Sequence, residues 1–487
     1  MKLIEKTKSV IDHTTMYRSA LYLLIALAAW SLVLAFIDVL DFNPLSMVSN
    51  LVILVGVGFA VDRLFAYMFG THPNKESIYI SALILYFLFS PSGTPQSFVL
   101  MAIIATLAAA SKYLLAWRGR HIFNPAATAA VIAGLVGLGQ ASWWVATPWM
   151  LPLVLIHGVM LAYKTRRTDM VLWHIGITYV VSAFVAMIHG TFSLSLLWTI
   201  LASYPIIFLA CFMLTEPLTL APKRMQRIII ATGIALLAYG QLSIAGVLVS
   251  PEIALLIGNL AAFIIGKKRG IILTLKGRRP LAGNQVEYVF EASRRLRFEA
   301  GQYIELHIPH TGSDMRGMRR MFTLASRSNA RKLRIITRHD QPSSTYKKTL
   351  LKLPVGSKVR ATGIYGDFTL PTDPSRKVLL LAGGVGVTPF IAFNEELRRR
   401  DETRDVTLIY AIKDSREDLH AEYFEDGPIR TVVHVGELSA EVIAKYVDDL
   451  SQREVYISGP PAMVRSVSRQ LGPYHPVSIH RDFFAGY

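Results

Sequence analysis

The sequence predicts a multidomain protein: a polytopic α-helical membrane domain of about ten helices over residues 1–267, an antiparallel β-barrel over 268–373, and an α/β domain with a parallel sheet over 374–487. Two observations predict this. Before the run Lys267, Lys268, Arg269, Gly270 the chain is a series of apolar stretches joined by short loops, and after it the chain is charged and strand-like. Within the charged part, alternating strands give way near residue 376 to buried strands separated by helices, the pattern of a parallel sheet.

The length of 487 residues leaves room for about three domains at roughly 150 residues each. A hydrophobic share of 52% and a mean hydropathy of +0.39 are high for a soluble chain and point to membrane segments. The net charge of +17 then fits cationic cytoplasmic loops and anionic lipid. With no arginine-rich tail and no zinc-finger spacing, nucleic acid is not expected as a partner. The single cysteine, Cys211, lies in an apolar run. One thiolate cannot hold an iron–sulfur cluster or a Cys-rich zinc site within the chain, so no metal site is expected. Lys2, Lys6, Lys8 and Arg18 precede an apolar stretch that lacks a small-residue cleavage site, which reads as a first membrane helix and not a signal peptide.

The expected membrane segments lie near 19–38, 46–67, 78–90, 97–116, 124–139, 146–163, 171–188, 193–214, 227–249 and 252–266. Several are shorter than the roughly 20 residues of a straight span, which is tolerated where protein surrounds them. The loops alternate in charge. One set carries Arg63 and Lys75, then Arg118 and Arg120, then Lys164, Arg166 and Arg167, then Lys223, Arg224 and Arg227. The other set, near 39–44, 90–96, 140–144, 190–193 and 250–252, carries no Lys or Arg. The cationic set should be cytoplasmic, which places the N-terminus and everything after residue 267 in the cytoplasm of a multi-pass cell-membrane protein.

In the barrel region, Gly301, Gln302 and Tyr303 are followed by Arg320, Phe322 and Thr323. A diphosphate needs a cation and hydroxyl or backbone donors, and a flavin ring needs an apolar wall. Along a strand Arg320 and Phe322 share a face and Thr323 takes the other. Ser344 and Thr345 offer further phosphate donors. In the α/β region, Gly383, Gly384, Gly386, Thr388 and Pro389 follow a buried strand and open a helix, where glycines admit a pyrophosphate close to the backbone. Ser458, Gly459 and Pro460 end a later strand, and Phe483 and Phe484 stand near the C-terminus. Lys413 and Arg416 follow the 406–412 strand, either as a 2′-phosphate site or as a solvated turn diluted by Asp414, Glu417 and Asp418.

Taken in order, these motifs resemble the ferredoxin–NADP reductase superfamily over about 270–487. The resemblance implies FAD and NADH or NADPH as cofactors. It implies that Arg320, Phe322 and Thr323 contact FAD and that Gly383, Gly384, Gly386 and Thr388 cradle the nicotinamide nucleotide. Gly459 and Pro460 would line the nicotinamide pocket beside Ser458, which stands where many members have Cys, and Phe483 or Phe484 would cover the flavin.

Two strings stand out in the apolar half. One holds His121, Asn124 and Pro125; the other holds Thr215, Glu216 and Pro217. Each puts proline and a polar side chain at a segment end, where freed backbone groups and a boundary charge mark a functional position. The strings resemble the membrane subunit family shared by the sodium-pumping NADH:quinone reductase and the Rnf complex. That resemblance implies a flavin-bearing electron carrier with Lys112, His121, Asn124 and Glu216 in matching neighbourhoods. The family's Ser-Gly-Ala-Thr site for esterified FMN is missing after Asn124, so the expectation is a non-covalent second flavin, FMN or riboflavin, or none. His157, His174 and His189 raise a heme alternative, although His174 and His189 fall ~22 Å apart at ~1.5 Å rise per residue.

The expected function is transfer of electrons from cytoplasmic NAD(P)H through FAD into the membrane domain, to a flavin, a quinone or an extracytoplasmic redox partner. The alternatives are a redox-gated ion or solute transporter and a heme-based transmembrane ferric or oxygen reductase.

Overall fold

The computed structural model describes residues 15–70, 75–117, 120–165, 167–244, 246–266, 271–310 and 318–482, with the side chains of Lys75, Arg120 and Thr362 outside the description. The expectations placed on Lys2, Lys6, Lys8, Arg118, Arg166, the 267–270 run, Phe483 and Phe484 lie outside the described residues. The chain divides into two compact units, Met1–Lys268 and Arg269–Tyr487.

The first unit is helical. Its elements are α1 (Met16–Phe36), α2 (Pro44–Met68), α3 (Lys75–Leu88), α4 (Pro95–Leu114), the short pair β1 (Ala116–Trp117) and β2 (Arg120–His121), and α5 (Pro125–Leu135). There follow α6 (Leu151–Thr165), α7 (Thr168–Ile188), α8 (Leu194–Ser203), α9 (Ile206–Phe208) running into a π-helical turn Leu209–Met213, α10 (Arg224–Tyr239), the pair β3 (Ser243–Ile244) and β4 (Val247–Leu248), and α11 (Pro251–Gly266). Four of these, α1, α2, α4 and α7, are long and apolar enough to cross a membrane; α8 with the α9 segment makes a fifth if the pair, bent by 49°, counts as one span. The remaining expected spans fall on α3, α5, α6, α10 and α11, which are shorter, at 11–16 residues.

Proline and polar caps set several of these limits. Asn43 and Asn124 cap α2 and α5 through side-chain oxygens, each with Pro at the first turn. Pro205 breaks α8 from α9. The unit also repeats itself. The order of α1 to α5 recurs as α6, α7, the broken α8–α9, α10, the β3–β4 pair and α11, and the packing recurs with it: α2 on α4 and α4 on α5 in the first set, α7 on α10 and α10 on α11 in the second, with α5 against α11. Helix α7 shows the exterior character of the unit. Leu172, Val180 and Phe184 are exposed on one side while His174, Thr178 and Ser182 are buried on the other.

The second unit opens with six antiparallel strands, β5 (Ile271–Pro280), β6 (Gln285–Ala292), β7 (Tyr303–His307), β8 (Arg319–Thr323), β9 (Lys332–Arg338) and β10 (Lys358–Tyr365), with α12 (Thr345–Lys352) between the last two. Their order is β8-β7-β10-β5-β6-β9. The outer strands approach each other at a Leu324–Ile335 bridge. Apolar residues alternate inward, with Leu273, Leu275, Tyr288, Phe290, Ile304 and Leu306 in one core.

A five-stranded parallel sheet follows, from β11 (Lys377–Gly383), α13 (Thr388–Arg400), β12 (Val406–Ile412), α14 (His420–Tyr423), β13 (Arg430–Val435), α15 (Ala440–Ala444), β14 (Arg453–Ser458), α16 (Pro461–Gln470) and β15 (Ser478–Asp482). Its order is β13-β12-β11-β14-β15, so the chain changes direction across the sheet between β11 and β14. β11 and β12 are buried almost throughout, as expected for strands covered on both faces.

Glu396 of α13 ties this sheet layer to the barrel. It accepts from Arg399 and Arg400 and from the Ser328 backbone N–H at 2.8 Å. Burial alone would raise its pKa, but these donors outweigh burial and hold the carboxyl at about 2. A folded pKa below the unfolded value adds stability above the unfolded pKa, and that stability is lost as pH falls toward the folded one. Glu396→Gln is therefore expected to lower the melting temperature at pH 7 by a few degrees. The gap should close between about pH 4.5 and about pH 2; a gap that persists at the acid end would refute the charge as its origin.

Candidate functional site

The barrel builds an anion site from three elements. Arg320 on β8 is buried, and its guanidinium carbon lies 4.9 Å above the ring of Tyr346, in the first turn of α12. Phe322, two residues along, packs at 6.1 Å from the same ring. Tyr346 is held by its hydroxyl, which donates to the Leu306 carbonyl. Ser344 caps α12 by accepting from the Lys347 N–H, so its hydroxyl serves the helix. Thr345 lies 3.1 Å from His310 Nε2. Ser343 Oγ is buried without a hydrogen-bond partner among the described residues. A fixed guanidinium and an orphaned hydroxyl beside the start of a helix together fit a diphosphate such as that of FAD. Tyr303 pairs with Thr323 across β7 and β8, and its ring lies 5.9 Å from Tyr365, giving an aromatic patch on the other strand face.

Gly301 and Gln302 hold the loop. Gly301 has φ +88°, and a Cβ there would lie 2.0 Å from the Phe368 carbonyl oxygen. Gln302 donates to the Gly366 carbonyl and accepts from the Glu299 N–H. Tyr346 and His310 were missed in the sequence because neither forms a motif; the position of Tyr346 directly after Ser344 and Thr345 was the available signal.

In the parallel sheet, β11 and β14 are neighbours and end together, with Ala382 opposite Ser458. This is the switch point of the sheet, where open α/β folds bind nucleotides. Gly386 lies against the second strand end: a Cβ there would sit 2.4 Å from the Ser458 carbonyl oxygen and 2.6 Å from Gly459 N. Gly383 lies against Pro460 and Met463, while Gly384 borders open space. Thr388 donates to the Val385 carbonyl, and Pro389 follows at the start of α13. Ser458 is buried and stands in register with Asp482 of β15, a residue the motifs did not single out. Phe483 and Phe484 follow it outside the described residues. Arg416 pairs with Asp414 at 2.6 Å, which engages one of the two cations considered for a 2′-phosphate.

The helical unit brings three of its four singled-out residues together. Glu216 accepts from Asn124 Nδ2 at 2.9 Å and lies 2.9 Å from His121 Nε2. Asn124 is fixed from behind: its backbone N–H donates to Asn259 Oδ1 and its side chain caps α5. Lys112 lies 3.8 Å from Asp62, which also accepts from the Tyr113 hydroxyl, and its Nζ is within electrostatic reach of Glu216. Asp62 on α2 and Tyr113 were missed, since an isolated Asp in an apolar run carries no spacing signal. The π-turn Leu209–Met213 leads into Thr215 and Glu216; such turns often mark functional positions. Asn124, Phe212, Thr215 and Glu216 line a solvent-open cleft with about 50 Å³ of water-sized space, with Tyr17 and Ser81 on its other walls. Of the histidines, His174 places Nδ1 3.0 Å from the Ala231 carbonyl oxygen. Among the described residues no group of three His, Cys, Asp or Glu is placed to hold a metal.

No family model matches the chain. It is similar to the heme-dependent oxidative N-demethylase beta subunit of Ectopseudomonas mendocina, 28% identical over 207 residues, 41% of this chain and 64% of that one. It is similar to the aromatic O-demethylase reductase subunit of Amycolatopsis, 30% identical over 39% of this chain and 61% of that one. The flavohemoprotein of Vibrio cholerae is 27% identical over 36% of this chain and 48% of that one. The chain spans less than two thirds of the length of each of these curated relatives. Among solved structures, a cytochrome P450 reductase of Amycolatopsis matches with a TM-score of 0.40 at 26% identity, over 44% of this chain and 70% of that one.

Proposed function

We propose that this protein is an NAD(P)H-dependent flavin oxidoreductase that passes electrons from a cytoplasmic nicotinamide nucleotide through FAD into a membrane-embedded helical unit. The observation that carries the reading is the pairing, within one unit, of the Arg320–Tyr346 anion site with the glycine-lined end of β11 and β14. Similarity to reductase subunits supports it.

When bound, the flavin and the nicotinamide supply the redox chemistry, a hydride passing from the second to the first. The chain's own residues bind and align. Arg320, Ser343 and the start of α12 hold the diphosphate, Phe322 and Tyr303 wall the ring, and Thr323 presents a hydroxyl on the strand face beside Tyr303. Gly384 and Gly386 let the dinucleotide approach the backbone, and Ser458, Gly459 and Pro460 bound the nicotinamide end. Phe484 or Phe483 would exclude water above the flavin.

In the helical unit we assign the Asn124–Glu216 cleft to a second, non-covalent flavin, FMN or riboflavin, with His121 and Lys112 adjusting its charge. A quinone or an extracytoplasmic redox protein is the acceptor. The unit is multi-pass, with α3, α5, α6, α10 and α11 completing the spans, and its N-terminus and the reductase unit are cytoplasmic. The buried polar faces and lipid-like exposed faces of α7 support insertion. Flavin released by acid and counted per chain, with spectra before and after anaerobic NADH and NADPH, tests this: two reducible flavins are expected, and one would overturn the membrane flavin. Glu216→Gln should lower the second flavin's occupancy and leave the first intact; loss of both would refute the assignment to the cleft.

A further inference from the structure

Helix α7 turns an unusual face toward α10. His174, Thr178 and Ser182 recur at i, i+4 and i+8, all buried, and His174 Nε2, Thr178 Oγ1 and Ser182 Oγ have no hydrogen-bond partner among the described residues. Tyr239, at the C-terminal end of α10, is buried with its hydroxyl likewise unpartnered. The two helices run parallel, since Arg224 of α10 pairs with Asp169 of α7 and, one to two turns further along both, the Ala231 carbonyl meets His174. Tyr239, two turns beyond Ala231, therefore stands at the level of Ser182, two turns beyond His174. Four orphaned polar atoms thus lie in one seam of an otherwise apolar interior. An orphaned buried donor or acceptor is destabilising, and native proteins satisfy such groups with ordered water.

The spacing fits water. Side chains four apart on a helix are about 6 Å apart, the length of two hydrogen bonds of about 2.8 Å with one water between them. Ala231 and Ala235 on the buried face of α10 are small side chains.

The ends of the seam differ. At one end Tyr239 stacks on Tyr204 at 6.0 Å and lies within electrostatic reach of Glu252, whose carboxylate accepts from Trp143 Nε1. Tyr204 also borders a narrow cleft with about 10 Å³ of water-sized space, whose lining includes Thr147, another buried hydroxyl without a partner among the described residues. At the other end, one turn before Ala231, buried Arg227 donates to the Pro222 carbonyl and sets a fixed positive charge across the path. The other titratable groups on α7 and on the elements packed against it are Asp169, paired with Arg224 of α10, Tyr179 of α7, His157, Tyr163 and Lys164 of α6, and Cys211 of the π-turn.

We infer that the α7–α10 seam is a water-filled half-channel, open at the Glu252 end and closed at Arg227, through which His174 exchanges protons with one face of the membrane. Hydroxyls and imidazole both donate and accept, which suits a proton relay through water. The seam offers no carboxylate or carbonyl cluster to strip water from a metal cation. The inference rests on the membrane placement proposed above.

X-ray hydroxyl-radical footprinting of the full chain in phosphatidylcholine–phosphatidylglycerol nanodiscs tests it, because bound water produces label at the side chains it touches. Per unit of exposed area, Tyr239, at 8% exposure, is expected to label at least fivefold faster than Tyr86, a tyrosine at 1% exposure that is bonded to Ser31. Thr178→Val combined with Ser182→Ala should cut His174 labelling at least threefold and leave Tyr239 labelling unchanged, with NADH reduction of FAD reporting an intact fold. Tyr239 and Tyr86 labelling at the same rate per unit of exposed area, or His174 labelling indifferent to the double substitution, would overturn the half-channel. Flotation with vesicles after a carbonate wash is a separate arm: a chain that washes off refutes the membrane placement, whereas an inserted chain with a dry seam refutes the half-channel alone.

Discussion

Gly386→Ala is expected to keep FAD bound and to slow its reduction by NADH and NADPH at least 100-fold. The added Cβ would fall 2.4 Å from the Ser458 carbonyl oxygen and 2.6 Å from both the N and the Cα of Gly459. These are backbone atoms at the end of β14, anchored by pairing with β11 and β15, so they cannot swing aside as a side-chain tip would. The turn at Ser458–Pro460 must shift by about 1 Å, and a displacement of that size costs on the order of 10²-fold in a transfer that depends on alignment. The Arg320–Tyr346 site is built on separate strands and should not feel the change. Stopped-flow reduction of the bound flavin checks the result, with flavin content as the control. A rate within a few-fold of wild type would remove the β11–β14 junction from the nucleotide site.

Arg320→Ala is expected to raise the dissociation constant for FAD by about 10- to 150-fold, since a charge-assisted hydrogen bond contributes about 1.5–3 kcal/mol and 1.4 kcal/mol is tenfold. The loss is larger than a surface arginine would give, because the guanidinium is buried and already oriented by stacking on Tyr346. Arg320→Lys should recover only part of the affinity, as an ammonium lacks the planar fork and the stacking face. The purified variant should carry well under one acid-extractable FAD per chain, rising on titration with FAD. Full occupancy in Arg320→Ala would disprove the diphosphate assignment.

How much of this was legible beforehand depends on how local each signal is. The strand-to-turn-to-helix passage at Gly383–Pro389 is encoded within a dozen residues, so both its place and its use of glycine were readable. The alternation of Arg320 and Phe322 on one strand face was readable for the same reason, since period two is a property of a single strand. Tyr346 was not: it meets Arg320 only because α12 folds back over β8. The need for glycine at Gly301 also comes from the approach of Phe368, a residue 67 positions on. In the helical unit His121, Asn124 and Glu216 were each marked by proline and polarity at a segment end, yet their mutual hydrogen bonds, and the Asp62 partner of Lys112, depend on helix packing.

The sequence by itself determined the division near residue 267, the helical character of the first unit, the strand patterns of the second and the glycine turns at its strand ends. Each of these rests on composition or on periodicity within one element. Tertiary structure alone decided which helices are long enough to span, that the helical unit repeats itself, that β11 and β14 close on each other, and that three hydroxyl- and imidazole-bearing side chains of α7 are buried without partners among the described residues. Those facts depend on contacts between residues far apart in the chain, and a local pattern carries no information about which distant surface will cover it.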